Sequence, residues 1–174
     1  MSIIWEVLKG KFVPPKDTKP SFKGQNVIIT GSNVGLGFEA AVKFAELGAE
    51  RLILGVRTIS KGEEAARQIE QRTGRKAEVW QVDMSNYDSV KAFADRASKE
   101  LKTLDIAVLN AGLANLEYKE SVHGHEETLQ VNLFSTTLLA LLLAPKLKAS
   151  KTESFTPVLE IIGSSNHYLV GAFG

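Results

Sequence analysis

Three glycines near the start of the chain could hold the phosphates of a nucleotide. Gly31, Gly35 and Gly37 form a G-x-x-x-G-x-G pattern, directly after the β-branched run 26–30 and directly before a segment with the apolar period of a helix. Glycines let the main chain turn sharply and approach a pyrophosphate, and the following helix directs its positive N-terminus at the phosphates. A tight strand–helix turn without a ligand would use the same residue types. The flanking strand and helix favour nucleotide binding.

A positive charge near the end of the second predicted strand bears on which dinucleotide would bind. An NAD site carries an acidic residue about 20 positions past the glycines, where it holds the ribose 2′-hydroxyl. The stretch 55–58 contains Arg57 and no carboxylate. A guanidinium can pair with a 2′-phosphate, and Lys61 is close enough in sequence to help. The sequence therefore predicts NADP(H) as the cofactor, the alternative being that Arg57 is a solvated loop charge.

Strands and helices alternate along the chain, and this alternation determines where such residues would lie. The pattern Ser60-x-x-Glu63 is a capping box that would open the second helix, and Gly74 would end it. The fold class that follows is α/β, a Rossmann-type doubly wound parallel sheet with strand order 3-2-1-4-5. Its ligand would lie at the carboxyl ends of the strands, at the switch point between strands one and four. The predicted strands are 26–30, 51–56, 77–82, 106–109 and 158–162, and the predicted helices are 38–47, 60–73, 87–101 and 126–147.

Composition narrows the functional classes. With 174 residues, 44% of them hydrophobic and 24% charged, the chain has the composition of one soluble globular domain. A net charge of +1 gives no electrostatic case for a nucleic acid or a membrane surface as partner. The absence of cysteine excludes disulfides and thiolate metal sites, and the three histidines lack metal spacing, so we expect no metal. The apolar run 138–144 is shorter than the ~20 residues that span a bilayer, and no signal peptide is visible. We therefore expect a cytoplasmic protein that is not an integral membrane protein.

Ordered motifs make the chain resemble the short-chain dehydrogenase/reductase family, in its fungal and retinol-dehydrogenase-like branches, over about residues 24–170. The stretch 30–37 resembles the family's T-G-x-x-x-G-x-G turn, and Asn110-Ala-Gly112 resembles its N-A-G motif. The stretch 124–135 resembles the segment around the family's helix asparagine. The resemblance implies hydride transfer between the nicotinamide of NADP(H) and a small-molecule carbonyl or alcohol substrate, as in a ketoreductase.

The resemblance also implies roles for single residues. Asp83 would lie near the adenine ring, although a helix N-cap or a turn would also use it, and Gly112 could be plain turn chemistry. Asn132 would order a water molecule in a proton relay, the alternative being an exposed helix asparagine. Ser164, with Ser165 as the runner-up, would hydrogen-bond the substrate carbonyl oxygen. The implied cofactor-binding residues are Gly31, Ser32, Asn33, Gly35, Leu36, Gly37, Arg57, Asp83, Met84, Asn110, Ala111 and Gly112.

The family's catalytic acid has no counterpart in this sequence. It is a tyrosine in a Y-x-x-x-K motif well beyond the serine, and it would fall after the last residue of the chain. The pattern from Tyr87 to Lys91 precedes the N-A-G turn, on an ordinary packed helix, so we reject it. We therefore expect residues 25–174 to form a partial NADP-binding Rossmann domain that is incomplete at its C-terminal end. Residues 1–24, which precede this domain, are expected to form an N-terminal arm.

Two functional hypotheses follow. The complete form would be an NADP-dependent reductase, of which the 174-residue chain alone would be inactive. The alternative is a non-redox dinucleotide-binding module or a redox-inactive paralogue.

The leucines of the last predicted helix are too numerous for one core-facing stripe. Their surplus face must be covered, so we expect a homo-oligomer that pairs through helix 126–147. The alternative is that the arm covers this face with Ile3, Ile4 and Trp5. The leucines in question are Leu138, Leu139, Leu141, Leu142 and Leu143.

Overall fold

The computed structural model describes residues 18–164, in which five parallel strands alternate with four helices. The sheet order is β3-β2-β1-β4-β5, and every neighbouring pair is parallel, which confirms the predicted doubly wound α/β fold. The strands are β1 (Asn26–Thr30), β2 (Arg51–Val56), β3 (Glu78–Gln81), β4 (Ile106–Leu109) and β5 (Val158–Ile161). The helices are α1 (Gly35–Glu46), α2 (Ile59–Thr73), α3 (Tyr87–Glu100) and α4 (Glu127–Ala149).

The central strand β1 supplies side chains to two separate apolar cores. All five of its residues are buried. Because side chains alternate along a strand, Val27 and Ile29 pack among residues of α1 and α2, and Ile28 packs among residues of α3 and α4. The helices therefore cover both faces of the sheet and leave the carboxyl ends of the strands accessible at one edge.

The capping box predicted at Ser60 is wrong. The first helical hydrogen bond runs from the Gly62 N–H to the Thr58 carbonyl oxygen (3.1 Å), so α2 begins at Ile59 and Ser60 is already inside the helix. The flanking residue Thr58 is extended and makes no side-chain cap. The predicted end is correct, because Gly74 takes the left-handed conformation (φ 70°) that stops the helix.

Helix α4 is longer than its most apolar run indicates. It has 23 residues and, by length and composition alone, is apolar enough to cross a membrane, so the argument from the short run 138–144 is wrong. In the fold it packs against α3, β4 and β5 as the crossover between the last two strands, with Leu139, Leu143 and Leu147 buried. Its segment Gln130–Ser135 is a π-helical turn, which periodicity did not predict.

Residues 18–24, which the sequence assigns to the arm, run along α1. The Phe22 N–H donates to the Leu47 carbonyl oxygen (2.9 Å), and the Phe22 ring lies 4.6 Å from the Phe44 ring. The arm residues 1–17 and residues 165–174, with Ser165, lie outside the described residues.

Candidate nucleotide-binding site

The glycine turn lies where the main chain leaving β1 passes close to the turn that follows β4. Gly31 (φ 66°) and Gly35 (φ 60°) occupy the left-handed region that favours glycine. A Cβ on Gly31 would lie 2.8 Å from the Ala111 Cα, and a Cβ on Gly37 would collide with the Asn110 amide. The space at Gly35 is open. Gly31 and Gly37 therefore let the two turns pack together, while Gly35 leaves the N-terminus of α1 open to an anion.

Hydrogen bonds fix the shape of this switch point. The Asn110 Nδ2 donates to the carbonyl oxygens of Thr30 and Gly31, at 3.1 Å each. The N–H groups of Asn110 and Ala111 both donate to the Thr30 Oγ1 at 3.0 Å. The Asn110 amide therefore joins β4 to the glycine turn, which is a positioning role.

A cleft of about 180 Å³ opens at the carboxyl ends of the first four strands. The residues that the sequence predicts and the cleft brings together are Gly31, Asn33, Arg57, Asp83, Met84, Ala111 and Gly112. The lining residues that the sequence did not indicate are Gly55, Val82, Ser85, Leu113 and Val131. For the first four of these residues, the position just inside or just after a predicted strand end was the available signal, since a switch-point cleft is lined by strand ends. Val131 lies in the π-helical turn of α4 and had no such signal.

Four predicted residues of the glycine turn, Ser32, Gly35, Leu36 and Gly37, do not line this cleft, and neither does the predicted Asn110. Ser32 is fully buried and donates from its Oγ to the Ile29 carbonyl oxygen (2.9 Å), which stabilises the turn from within. Leu36 points away into solvent, with 78% of its surface exposed. In the described structure their side chains shape or flank the turn, and only Asn33 among the non-glycine turn residues reaches the cleft wall.

Asp83 is a turn residue and does not cap α3. Its Oδ1 accepts the Ser85 N–H (2.9 Å), and its own N–H donates to the Ser89 Oγ (2.9 Å). The N-cap of α3 is Asn86, whose Oδ1 accepts the Asp88 N–H at 2.8 Å. Of the alternatives that the sequence left open, the N-cap is therefore wrong, and the carboxylate of Asp83 stays on the cleft wall.

Arg57 lies at the rim of the cleft, just past β2. Its carbonyl oxygen accepts the Gln81 Nε2 (3.3 Å), which fixes the backbone there. The residue is exposed, and no carboxylate within residues 18–164 forms an ion pair with its guanidinium. The described part of the cleft therefore presents one positive charge at the place where an NAD site would present a negative one.

A second cavity, of about 660 Å³, lies beside the first at the ends of β4 and β5. Asn132 and Ser164 both line it. The Asn132 Nδ2 donates to the Leu113 carbonyl oxygen (2.8 Å) and its Oδ1 accepts the Leu113 N–H (2.9 Å). Because Asn132 belongs to the π-helical turn of α4, the irregular helix presents its amide to the chain that follows the N-A-G motif. Asn132 is exposed, and both its Oδ1 and its Nδ2 are hydrogen-bonded to the backbone of Leu113.

The rejected Y-x-x-x-K pattern from Tyr87 to Lys91, called the decoy motif below, lies away from both cavities. The Tyr87 N–H donates to the His123 Nε2 (3.0 Å), and Lys91 pairs with Asp88 (3.2 Å). Both residues line a surface groove beside α4 and neither lines the two cavities described above. No group of three or more metal-ligating side chains occurs within residues 18–164.

The fold is a doubly wound α/β sheet with a cleft at its switch point, which is where such folds bind their ligands. The family model described as short chain dehydrogenase matches residues 25–155, and the chain belongs to this family. It is similar to the short-chain dehydrogenase/reductase phmF of Phaeosphaeria nodorum, with 48% identity over 158 residues, covering 88% of this chain and 47% of phmF. It is also similar to ffsI of Aspergillus flavipes, with 46% identity, covering 88% of this chain and 46% of ffsI. The chain thus spans about half the length of these curated relatives.

Solved structures show the same architecture. The oxidoreductase yciK from Escherichia coli matches with a TM-score of 0.72 and 26% identity, covering 93% of this chain and 65% of yciK. A protein described as a short chain dehydrogenase from Escherichia coli CFT073, complexed with NADPH, matches with a TM-score of 0.71 and 27% identity, covering 90% and 64% of the two chains.

Proposed function

We propose that the complete protein is an NADP(H)-dependent oxidoreductase that transfers a hydride between nicotinamide and a small carbonyl or alcohol substrate. Membership of the short chain dehydrogenase family supports an oxidoreductase with a nicotinamide cofactor over a non-redox dinucleotide-binding module. The nicotinamide, when bound, supplies or accepts the hydride. The observation that carries the NADP(H) preference is the Arg57 guanidinium at the cleft rim, which forms no ion pair with a carboxylate of residues 18–164.

The residues at the cleft fit this cofactor. The open space at Gly35 and the N-terminus of α1 suit a pyrophosphate, because backbone N–H groups and the helix dipole both favour negative charge there. Arg57 would pair with the 2′-phosphate, and Asp83 and Met84 would flank the adenosine. The NADPH complex of the Escherichia coli CFT073 neighbour supports the same cofactor type.

Substrate chemistry would take place in the second cavity. The Ser164 hydroxyl would hydrogen-bond the substrate oxygen. Asn132, which lines the same cavity, would hold the backbone at Leu113 in place. In the family that the chain belongs to, the proton donor is the tyrosine of a Y-x-x-x-K motif, and this sequence contains no such motif after Ser164. The 174-residue chain is therefore proposed to bind the cofactor without supplying the acid.

The cofactor preference is tested by titrating NADPH and NADH against the wild type and Arg57→Ala. We expect the wild type to bind NADPH more tightly, and the substitution to weaken NADPH by about 10- to 150-fold, because a charge-assisted hydrogen bond contributes roughly 1.5–3 kcal/mol. NADH affinity should change little. Arg67→Ala is the matched control, since Arg67 pairs with Glu64 on the outer surface of α2. Equal affinities of the wild type for the two cofactors would contradict the proposal.

We also propose that the protein forms a homo-oligomer through α4. Leu133 (52% exposed) and Leu141 (67% exposed) lie on its outer face and line a groove of about 740 Å³. Burying such a surface would stabilise a dimer by removing apolar area from water. We expect the complete protein to sediment as a dimer at micromolar concentration and Leu141→Lys to shift it toward monomer. A wild-type monomer under these conditions would refute the pairing.

A further inference from the structure

Two neighbouring carboxylates at the start of α4 do different things. Glu126 accepts the N–H groups of Thr128 (2.9 Å) and Leu129 (2.8 Å), so it caps the N-terminus of its own helix. Glu127 makes its side-chain contacts with groups from other parts of the chain. Its side chain is only 8% exposed, compared with 64% for that of its ion-pair partner Lys119. The helix cap is therefore complete without Glu127, and its burial requires another explanation.

Three donors from separate segments converge on the Glu127 carboxylate. The Ser85 Oγ donates to Oε1 (3.2 Å), and the Asn115 Nδ2 and Lys119 Nζ both lie 2.9 Å from Oε2. The hydrogen bonds from Lys119 and then Asn115 hold the pKa of Glu127 below its ordinary value, against the opposing effect of burial. The carboxylate is therefore charged at neutral pH, and its removal would leave three donors competing for fewer acceptors.

One of these donors, Ser85, lines the proposed nucleotide cleft, and the other two belong to the loop that continues from Leu113 on its other side. Ser85 lines the cleft beside Asp83, and its N–H donates to the Asp83 carboxylate, so Glu127 and Asp83 hold Ser85 from its two ends. Asn115 lies two residues after Leu113, and Leu113 lines both cavities. The Leu113 N–H donates to Asn132, which lies about one turn after Glu127 on α4. One stretch of helix thus holds the wall after β3 and the loop after β4 at a fixed separation.

We propose that Glu127 is a positioning residue for the cofactor, which fixes the turn 83–85 and the loop 113–119 as the two walls that receive the adenosine half of the dinucleotide. This inference rests on the proposed function, because it assigns the cleft with Arg57 to the 2′-phosphorylated adenosine. Glu127 acts through Ser85 and Asn115 and does not itself line the cleft.

The experiment compares Glu127→Gln with Glu126→Gln, two identical chemical changes at adjacent positions. The probe is 2′,5′-ADP, which carries the adenosine and the 2′-phosphate and lacks the nicotinamide. Its affinity is measured by calorimetry on the 174-residue chain, beside the thermal midpoint of each variant. We expect Glu127→Gln to weaken the probe about five- to tenfold, since one amide oxygen cannot serve three donors. Glu126→Gln should lower the midpoint by weakening the cap, since one side-chain oxygen is left to accept two N–H groups, and should leave the affinity of the folded protein unchanged.

Ser85→Ala supplies a second variant that removes only the contact with the cleft wall. It should weaken 2′,5′-ADP about two- to threefold with little change in the midpoint, as expected for one neutral-donor hydrogen bond. Unchanged affinity in both Glu127→Gln and Ser85→Ala, with a wild type that binds, would overturn the positioning role alone. A wild type that does not bind 2′,5′-ADP would overturn the proposed cofactor and the inference with it.

Discussion

Strands β1 and β5 have similarly apolar sequences and opposite environments. β1 reads Asn-Val-Ile-Ile-Thr, and all its residues are buried between helices on both faces. β5 reads Val-Leu-Glu-Ile, and all its residues are exposed within the described structure, with Ile161 at 49%. Both strands pair in parallel with β4, one on each side. Val27 of β1 and Val158 of β5 are both paired with Ile106 of β4.

The difference separates the two halves of the site. Around β1, hydrogen bonds join the N-A-G stretch to Thr30, and the turn after β3 is held by the bond from the Ser85 N–H to Asp83, so the walls of the proposed nucleotide cleft are fixed by described residues. Around β5, the second cavity is lined in part by Ile161 and Ile162, which are 49% and 44% exposed, and Ser164 also lines it. Nucleotide binding and catalysis should therefore respond very differently to the same kinds of change.

The largest expected effect concerns catalysis on the β5 side. The 174-residue chain should consume NADPH with ketones and aldehydes about 10²- to 10⁴-fold more slowly than a longer chain that continues through a Y-x-x-x-K motif, because the general acid is lacking. Tyr87→Phe should not change either rate, since Tyr87 lines a different groove. Robust turnover by the short chain that Tyr87→Phe abolishes would show that the decoy motif is catalytic.

The next effect concerns the β1 side. Gly35→Val should weaken NADPH binding by about a hundredfold or more, since a side chain would occupy the open space where a phosphate fits. Gly74→Val is the matched control: Gly74 has a similar positive φ of 70° and open surroundings, but ends α2 away from the cleft. Both variants should lose similar stability from backbone strain, roughly 1–2 kcal/mol, as measured by urea unfolding. If both bound NADPH equally well, the glycine turn would be structural only.

The smallest effect tests the exposure of β5 directly. Ile29→Val should lower the free energy of unfolding by about 1 kcal/mol, because it removes a methyl group from a closed core. Ile161→Val, the same change on the exposed strand, should cost less than about 0.5 kcal/mol. Urea denaturation of the two variants measures both values. Equal costs would mean that β5 is covered in solution.

The amino-acid sequence by itself determined the fold and most of the cleft. Strand–helix alternation predicted the sheet order and the switch point, and strand bounds were correct to within one residue at each end, as for β3 (77–82 predicted, 78–81 found). The glycine turn was found from the same kind of local pattern, whereas the role of the N-A-G stretch came from the family resemblance. Periodicity, positive φ and strand ends are properties of short segments, so a local pattern is sufficient to reveal them.

Tertiary structure alone decided the contacts between distant segments. Glu127 and Ser85 are hydrogen-bonded although they lie 42 positions apart in sequence, and Asn132 and Leu113 are hydrogen-bonded 19 positions apart. Asn132 belongs to a π-helical turn that the hydrophobic periodicity did not predict. The expected capping box at Ser60 failed because the N-cap position of α2 is Thr58, two residues earlier, and the cap of α3 belongs to Asn86. Whether an apolar strand is buried like β1 or exposed like β5 depends on which elements cover it. These features depend on packing between remote parts of the chain, which a local sequence pattern does not encode.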